Sequence, residues 1–182
     1  DFDRLVELST DPDEAAQARA ERGNFWMRWD DFERARVDFD FVISHHPDHF
    51  MALFHRGQIL AALGKFDEAL GDLNAVIRIA PTFSPALARR AHVWLAKEEI
   101  EKADADYAEA IRLDPSSAEQ LQVMRLLDEA HLRLKRCEFD DAIRLATEAI
   151  EATDENAPAY HVRANAYWYS EQYVEAVADY DK

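Results

Sequence analysis

An arginine and an aspartate sixteen residues apart recur along this chain: Arg22 with Asp38, Arg56 with Asp72, Arg90 with Asp106, and Arg163 with Asp179. A guanidinium presents a fork of donors that a carboxylate accepts two at a time, so the spacing predicts charged contacts between neighbouring elements. At the corresponding positions Glu129 and Leu145 both partners are absent together. A partly exposed pair contributes only about 0–1 kcal/mol, so its expected role is to set register. The run His45-His46-Pro47-Asp48-His49 holds metal-ligating side chains, but its spacing matches no structural zinc pattern and a solvated turn is expected. Asp104, Asp106 and the other paired acids lack the central glycine of a calcium loop. No glycine-rich phosphate loop, Ser–His–Asp set or Cys–His arrangement stands out. Cys137 is expected to be a small packed residue in a tight turn. The residues give no case for catalysis, for a metal or for a cofactor, and a non-enzyme is the expectation.

The elements that must hold these pairs follow a ruler. Gly23, Gly57 and Ala91 lie 34 residues apart, as do Ala35, Ala69 and Ala103, the prolines Pro47, Pro81 and Pro115, and the bulky Phe32, Phe66 and Ile100. Such a period marks a helical repeat array, in which each unit buries its core against its neighbours. Units start near Ala16, Phe50 and Ser84. Phe139, Ala142 and Ala130 match Tyr173, Ala176 and Ala164 at the same period, but Ile100 to Phe139 is 39 residues. Five residues are therefore inserted after Pro115, and later units start near Val123 and Ala157. The fifth stops at Lys182 within its second helix, so the chain reads as a piece of a longer array. Residues 1–15 are expected to be the end of a preceding helix or an N-terminal cap, with the array over 16–182.

Each unit reads as two helices. In the second, Met51, Leu53, Phe54, Ile59, Leu60 and Leu63 keep helical spacing up to Gly64-Lys65, and a second run spans Phe66 to Ile79 ahead of Pro81. The small residue at Gly57 is expected to allow close approach to Ala69 on the second helix. Ser116-Ser117-Ala118-Glu119 has capping-box spacing, and the helix it opens is expected to reach about Lys135. The insertion would lengthen that helix by roughly 7.5 Å at 1.5 Å per residue.

The net charge of −16 disfavours nucleic acid and anionic membrane surfaces as partners. No stretch approaches the roughly 18 uninterrupted apolar residues that a membrane helix needs. One cysteine rules out an intramolecular disulfide framework and fits either redox compartment. A cytoplasmic location is expected, with the endoplasmic reticulum lumen as the alternative.

Ala35-x3-Phe39, Ala69-x3-Leu73, Ala103-x3-Tyr107 and Ala176-x3-Tyr180, each with glycine or alanine twelve residues upstream, resemble tetratricopeptide repeats. The resemblance implies an all-α right-handed superhelix of helix-turn-helix units whose first helices line a concave groove. Trp26 and Trp94 occupy a position where the family prefers an aromatic, while Leu60 and Arg133 depart from it, and the fourth unit ends in Asp154 rather than proline. Carried over unit by unit, the family's groove positions fall on Asn24, Met27 and Arg28, then Met51, Phe54, His55 and Gln58. Arg89 and His92 follow, then Leu127 and His131, then His161, Asn165, Trp168 and Tyr169.

The function this implies is a protein-interaction scaffold receiving a peptide or helical segment. Arg89 would supply charge, Phe54 apolar anchorage and Asn24 backbone hydrogen bonds, with His55 and His92 beside them. Against that, Phe54, Leu127 and Trp168 could equally pack between helices. Some family members clamp acidic chaperone tails with Lys, Asn, Asn, Lys and Arg. Here Asn24 and Arg89 match, but Ala20, His55 and Pro85 replace the rest, so the clamp is not expected. Asp72-Leu73, Val76-Ile77 and Pro81-Thr82-Phe83 are similar to the repeats of luminal J-domain co-chaperones, which implies a surface for unfolded polypeptides as an alternative. A structural subunit that self-associates is a further alternative. Histidines at His55, His92, His131 and His161 would make binding sensitive to pH.

Overall fold

Apolar residues at helical spacing, interrupted once per half-period by a turn, fold each repeat as a helix hairpin. The structure is a computed structural model and describes residues 2–153 and 156–182. The expected departure at Asp154 lies outside the described residues. The helices are α1 (Phe2–Leu8), α2 (Pro12–Arg28), α3 (Phe32–His45), α4 (Phe50–Ala62), α5 (Phe66–Ile79) and α6 (Ser84–Ala96). They continue with α7 (Ile100–Leu113), α8 (Ala118–Lys135), α9 (Phe139–Ala152), α10 (Ala157–Tyr169) and α11 (Tyr173–Tyr180). A single 3-10 turn, Pro115–Ser117, precedes α8, and the described residues include no strand.

The chain divides into two compact units, Asp1–Val93 and Trp94–Lys182. In the first, α1 packs on α2, α2 on α3, α3 on α4 and α4 on α5. Its core gathers Ala16, Ala35, Phe39, Val42, Ala52 and Ile59. In the second, α7 packs on α8, α8 on α9, α9 on α10 and α10 on α11. There Ala130, Leu145, Ala146 and Val162 form one cluster, and Val123, Ala149 and Ala159 another.

The recurring small residue makes room for a large one. A Cβ on Gly23 would lie 2.9 Å from Phe39 Cε1, and one on Gly57 would lie 3.2 Å from Leu73 Cγ. The facing group is thus the large residue four places after the alanine, not chiefly Ala69 itself.

All five turns from first to second helix end the same way. Asp30, Gly64, Glu98, Cys137 and Glu171 have φ between 55° and 72°. The N–H of each following residue donates to the carbonyl of Trp26, Leu60, Trp94, Arg133 or Tyr167 at 2.8–3.0 Å, the long bond of a Schellman ending. Cys137 is therefore exposed at the turn, rather than packed as expected.

Two helix starts differ from expectation. α2 begins at Pro12, because Asp11 accepts the amides of Asp13 and Glu14 at 2.9 and 3.2 Å and proline suits the first helical turn. α8 begins at Ala118 without a capping box. The hydroxyls of Ser116 and Ser117 donate instead to the Asp114 carboxylate, and these hydrogen bonds hold its pKa below the usual carboxylate value. α8 has 18 residues against 13 in α4 and α10, so the five extra residues lengthen this helix.

Candidate functional site

Three of the arginine–aspartate pairs form within a compact unit. Arg22 Nε and Nη2 donate to the two carboxylate oxygens of Asp38 at 2.8 and 2.7 Å. Arg56 grips Asp72 the same way at 2.7 Å for both bonds, and Arg163 grips Asp179 at 2.7 and 2.8 Å. Arg90 and Asp106 belong to different compact units. The carboxylates are buried, Asp38 being 1% exposed, which corrects the premise of a partly exposed pair. A carboxylate out of water depends on its partner far more than a surface one does. Hydrogen bonding to Asp38 and Asp72, helped by their charge and opposed by burial, raises the pKa of Arg22 and Arg56 further above their already high ordinary value.

The ladder arginines also reach backwards, which the sequence reading missed, and Arg22 Nη1 donates to Asp3 on α1, nineteen residues earlier, at 2.8 Å. Arg56 Nη1 donates to Asp40 at 2.8 Å, Arg90 Nη1 to Asn74 at 2.7 Å, and Arg163 Nη1 to Thr147 at 3.1 Å. All three partners lie sixteen residues earlier, on the preceding second helix. The available signal was a polar residue two places after Asp38, Asp72 and Leu145. In the fourth repeat Leu145 fills the aspartate's place inside the core, and Glu129 turns to Arg133 at 3.1 Å.

The groove positions sort by exposure. In the first unit Asn24, Arg28, Arg89 and His92 are exposed on α2 and α6, while Met51 and Gln58 are half-buried. Met27 packs against the core. Phe54 is only 7% exposed and meets the Phe83 ring edge-on at 5.1 Å, so it packs between elements and offers no free anchor. His55 stacks on Phe39 at 5.4 Å, with Nδ1 3.2 Å from Gln58 Oε1. Burial lowers its pKa, the Gln58 bond opposes this, and the charge of His49 lowers it further.

In the second unit Leu127, half-buried, packs against the core clusters of α8, α9 and α10. His131 and His161 are exposed; His131 Nδ1 bonds the Leu127 carbonyl at 2.8 Å, and His161 meets Tyr180 edge-on at 5.8 Å. Asn165 Oδ1 accepts the Tyr180 hydroxyl at 2.6 Å. Trp168, half exposed, meets Tyr173 edge-on at 5.1 Å.

The histidine run is used locally. His45 Nδ1 bonds the Phe41 carbonyl at 3.0 Å, His46 Nε2 lies 3.2 Å from Asp13, and His49 accepts the Ala52 amide at 3.2 Å. Among the described residues no group of three or more histidine, cysteine or acidic side chains converges as a metal site.

Two clefts touch groove positions, one in each unit. In the first, Asp13, Gln17, Glu21, Asn24, His46 and His49 surround about 390 Å³. In the second, Leu134, Lys135, Cys137, Phe139, Asn165 and Tyr169 surround a similar volume of about 390 Å³.

Family models described as tetratricopeptide repeat match residues 14–82 and 84–117. No curated protein matches the sequence. Among solved structures, a tetratricopeptide repeat protein from Parabacteroides merdae is similar with a TM-score of 0.65 and 20% identity, over 98% of this chain and 77% of that one. PilW, described as a type IV pilus biogenesis factor, gives 0.66 at 16% identity over 91% and 74%. YrrB, described as having an unusual peptide-binding site, gives 0.61 at 17% identity over 99% and 89%. At these identities the likeness is one of fold.

Proposed function

The chain belongs to the tetratricopeptide repeat family, and on that premise we propose that it is a scaffold whose first-helix faces receive an extended segment of a partner protein. One observation carries this reading. Arg22, Arg56, Arg133, Arg144 and Arg163 are all ion-paired, yet Arg28 and Arg89 have no carboxylate at ion-pair distance among the described residues. In a chain with 37 acidic and 21 basic residues, exposed arginines left over on first helices suit carboxylates brought by another protein. Asn24, exposed on α2, adds a donor and an acceptor for a partner backbone. The peptide-binding site ascribed to YrrB, a protein of the same fold, agrees with this use of the fold.

The test is capture from lysate by the intact chain and by an Arg28→Glu, Arg89→Glu variant, with circular dichroism to check folding. A discrete partner bound about tenfold more weakly by the variant supports the proposal, since two exposed charge contacts amount to about 1.4 kcal/mol. A partner indifferent to both reversals overturns it. A broad set of weakly held polypeptides would replace it with the co-chaperone role, and mass rising with concentration would replace it with a self-associating subunit.

A further inference from the structure

We infer that the cleft at the ends of α8 and α10 binds a partner segment presenting a large apolar side chain next to an aspartate or glutamate. The subsite presupposes the scaffold role and specifies one part of it. Its walls are apolar and accessible: the Phe139 and Tyr169 rings stack at 6.3 Å and 19°, and Tyr169 is 64% exposed. Trp168 and Tyr173 form a second exposed aromatic pair on α10 and α11. Exposed aromatic clusters mark interaction surfaces, and tryptophan and tyrosine supply a large share of interface energy.

Charge separates this cleft from three others, all in the first unit. Those carry carboxylates: Asp13 and Glu21 in one, Glu33 and Asp38 beside Arg22 and Arg34 in another, Asp40, Glu68 and Asp72 beside Arg36 and Arg56 in a third. Here Lys135 is the one charged lining residue, and it has no ion-pair partner among the described residues. Its cationic neighbours are already engaged, Arg133 with Glu129 and Glu138, and Arg136 with Glu98. An ammonium on a flexible stem reads a carboxylate as a point charge, without fixed bidentate geometry. Asn165 gives its carbonyl oxygen to Tyr180, which leaves its amide N–H groups for a partner backbone. An apolar anchor beside an acid satisfies all three features at once.

The probe is N-acetyl-Phe-Asp amide, titrated to millimolar concentration into the full ¹⁵N-labelled chain, with the Phe-Asn and Gly-Asp counterparts as controls. The expected result is saturable shifts at the amides of Lys135, Cys137, Phe139, Asn165 and Tyr169. The Phe-Asn probe should bind about three- to fivefold more weakly, the range of one exposed charge contact, and Gly-Asp should give no localised shift. Lys135→Glu, at an exposed position, should remove or invert the preference for aspartate while leaving the remaining spectrum in place. No saturable shift, shifts confined to other residues, or equal binding of Phe-Asp and Phe-Asn overturns the subsite. The scaffold role fails separately. If the intact chain captures a partner and a Lys135→Glu, Tyr169→Ala variant holds it equally well, the scaffold stands without this subsite.

Discussion

Glu98 and Cys137 occupy backbone that a side chain resists, with φ of 64° and 59°, where Gly64 sits at 72° without penalty. Left-handed backbone costs an L-residue roughly 1 kcal/mol. Cys137→Gly is therefore expected to raise stability by about 0.5–1 kcal/mol, and Gly64→Ala to lower it by about 1 kcal/mol, both read from urea unfolding. Gly23→Ala runs against helix propensity in a different way. The added methyl meets the Phe39 ring at 2.9 Å, and overpacking of about 1–3 kcal/mol outweighs the gain of about 1 kcal/mol from replacing a helical glycine. His55 supplies a pH dependence. Burial lowers its pKa in the fold, so the unfolded chain binds more protons below the ordinary value of 6.5. Its contribution is complete above that value and is lost as pH falls below it. Comparing urea midpoints at about pH 7.5 and about pH 5.5 should show a drop that is smaller in His55→Gln.

At the scale of elements, the clips of Arg56 and Arg163 tie α4 to α3 and α5, and α10 to α9 and α11. Arg56→Met should cost about 2–3 kcal/mol, because Asp72 is then buried without a counter-ion. Asp40→Ala should cost less than about 1 kcal/mol, since Asp40 is 40% exposed. The double change Arg56→Met, Asp72→Leu puts leucine where the fourth repeat has Leu145 and removes the buried charge, and should recover most of the loss. Urea unfolding of the three variants against the parent chain checks each value. The forward half of each clip was legible in the sequence, because sixteen residues fix two helical positions across one short turn. The backward half was not, because Asp40, Asn74 and Thr147 meet their arginines only through the stacking of one hairpin on the next. The groove was legible only in part for a related reason. A first helix is packed by neighbours on two sides, and one step along it turns a residue by about 100°. Periodicity does not say that Phe54 is buried and Leu127 half-buried while Asn24 and Arg89 face water. The turns hid a residue too: only one of the five left-handed positions is glycine, so composition did not reveal them.

Over the whole molecule, acids exceed bases by sixteen, and that excess acts against compactness. Raising salt from about 10 mM to about 150 mM shortens the screening length from about 30 Å to about 8 Å. The urea midpoint should rise over this range, because long-range repulsion is relieved while the clips, with buried carboxylates, are screened little. A midpoint that falls would show that surface ion pairs outweigh the net charge. The clips also bear on how such a chain can change length. With Arg56 held sixteen residues ahead and sixteen behind, duplicating or excising 34 residues beside it rebuilds the clip. A cut of another size strands a buried carboxylate. The repeat that carries the five extra residues is also the one whose clip is gone, with Glu129 and Leu145 in place of arginine and aspartate. Like a zip fastener, such an array keeps its hold when it grows or shrinks by whole teeth, and the one change of spacing in this chain falls where a tooth is missing.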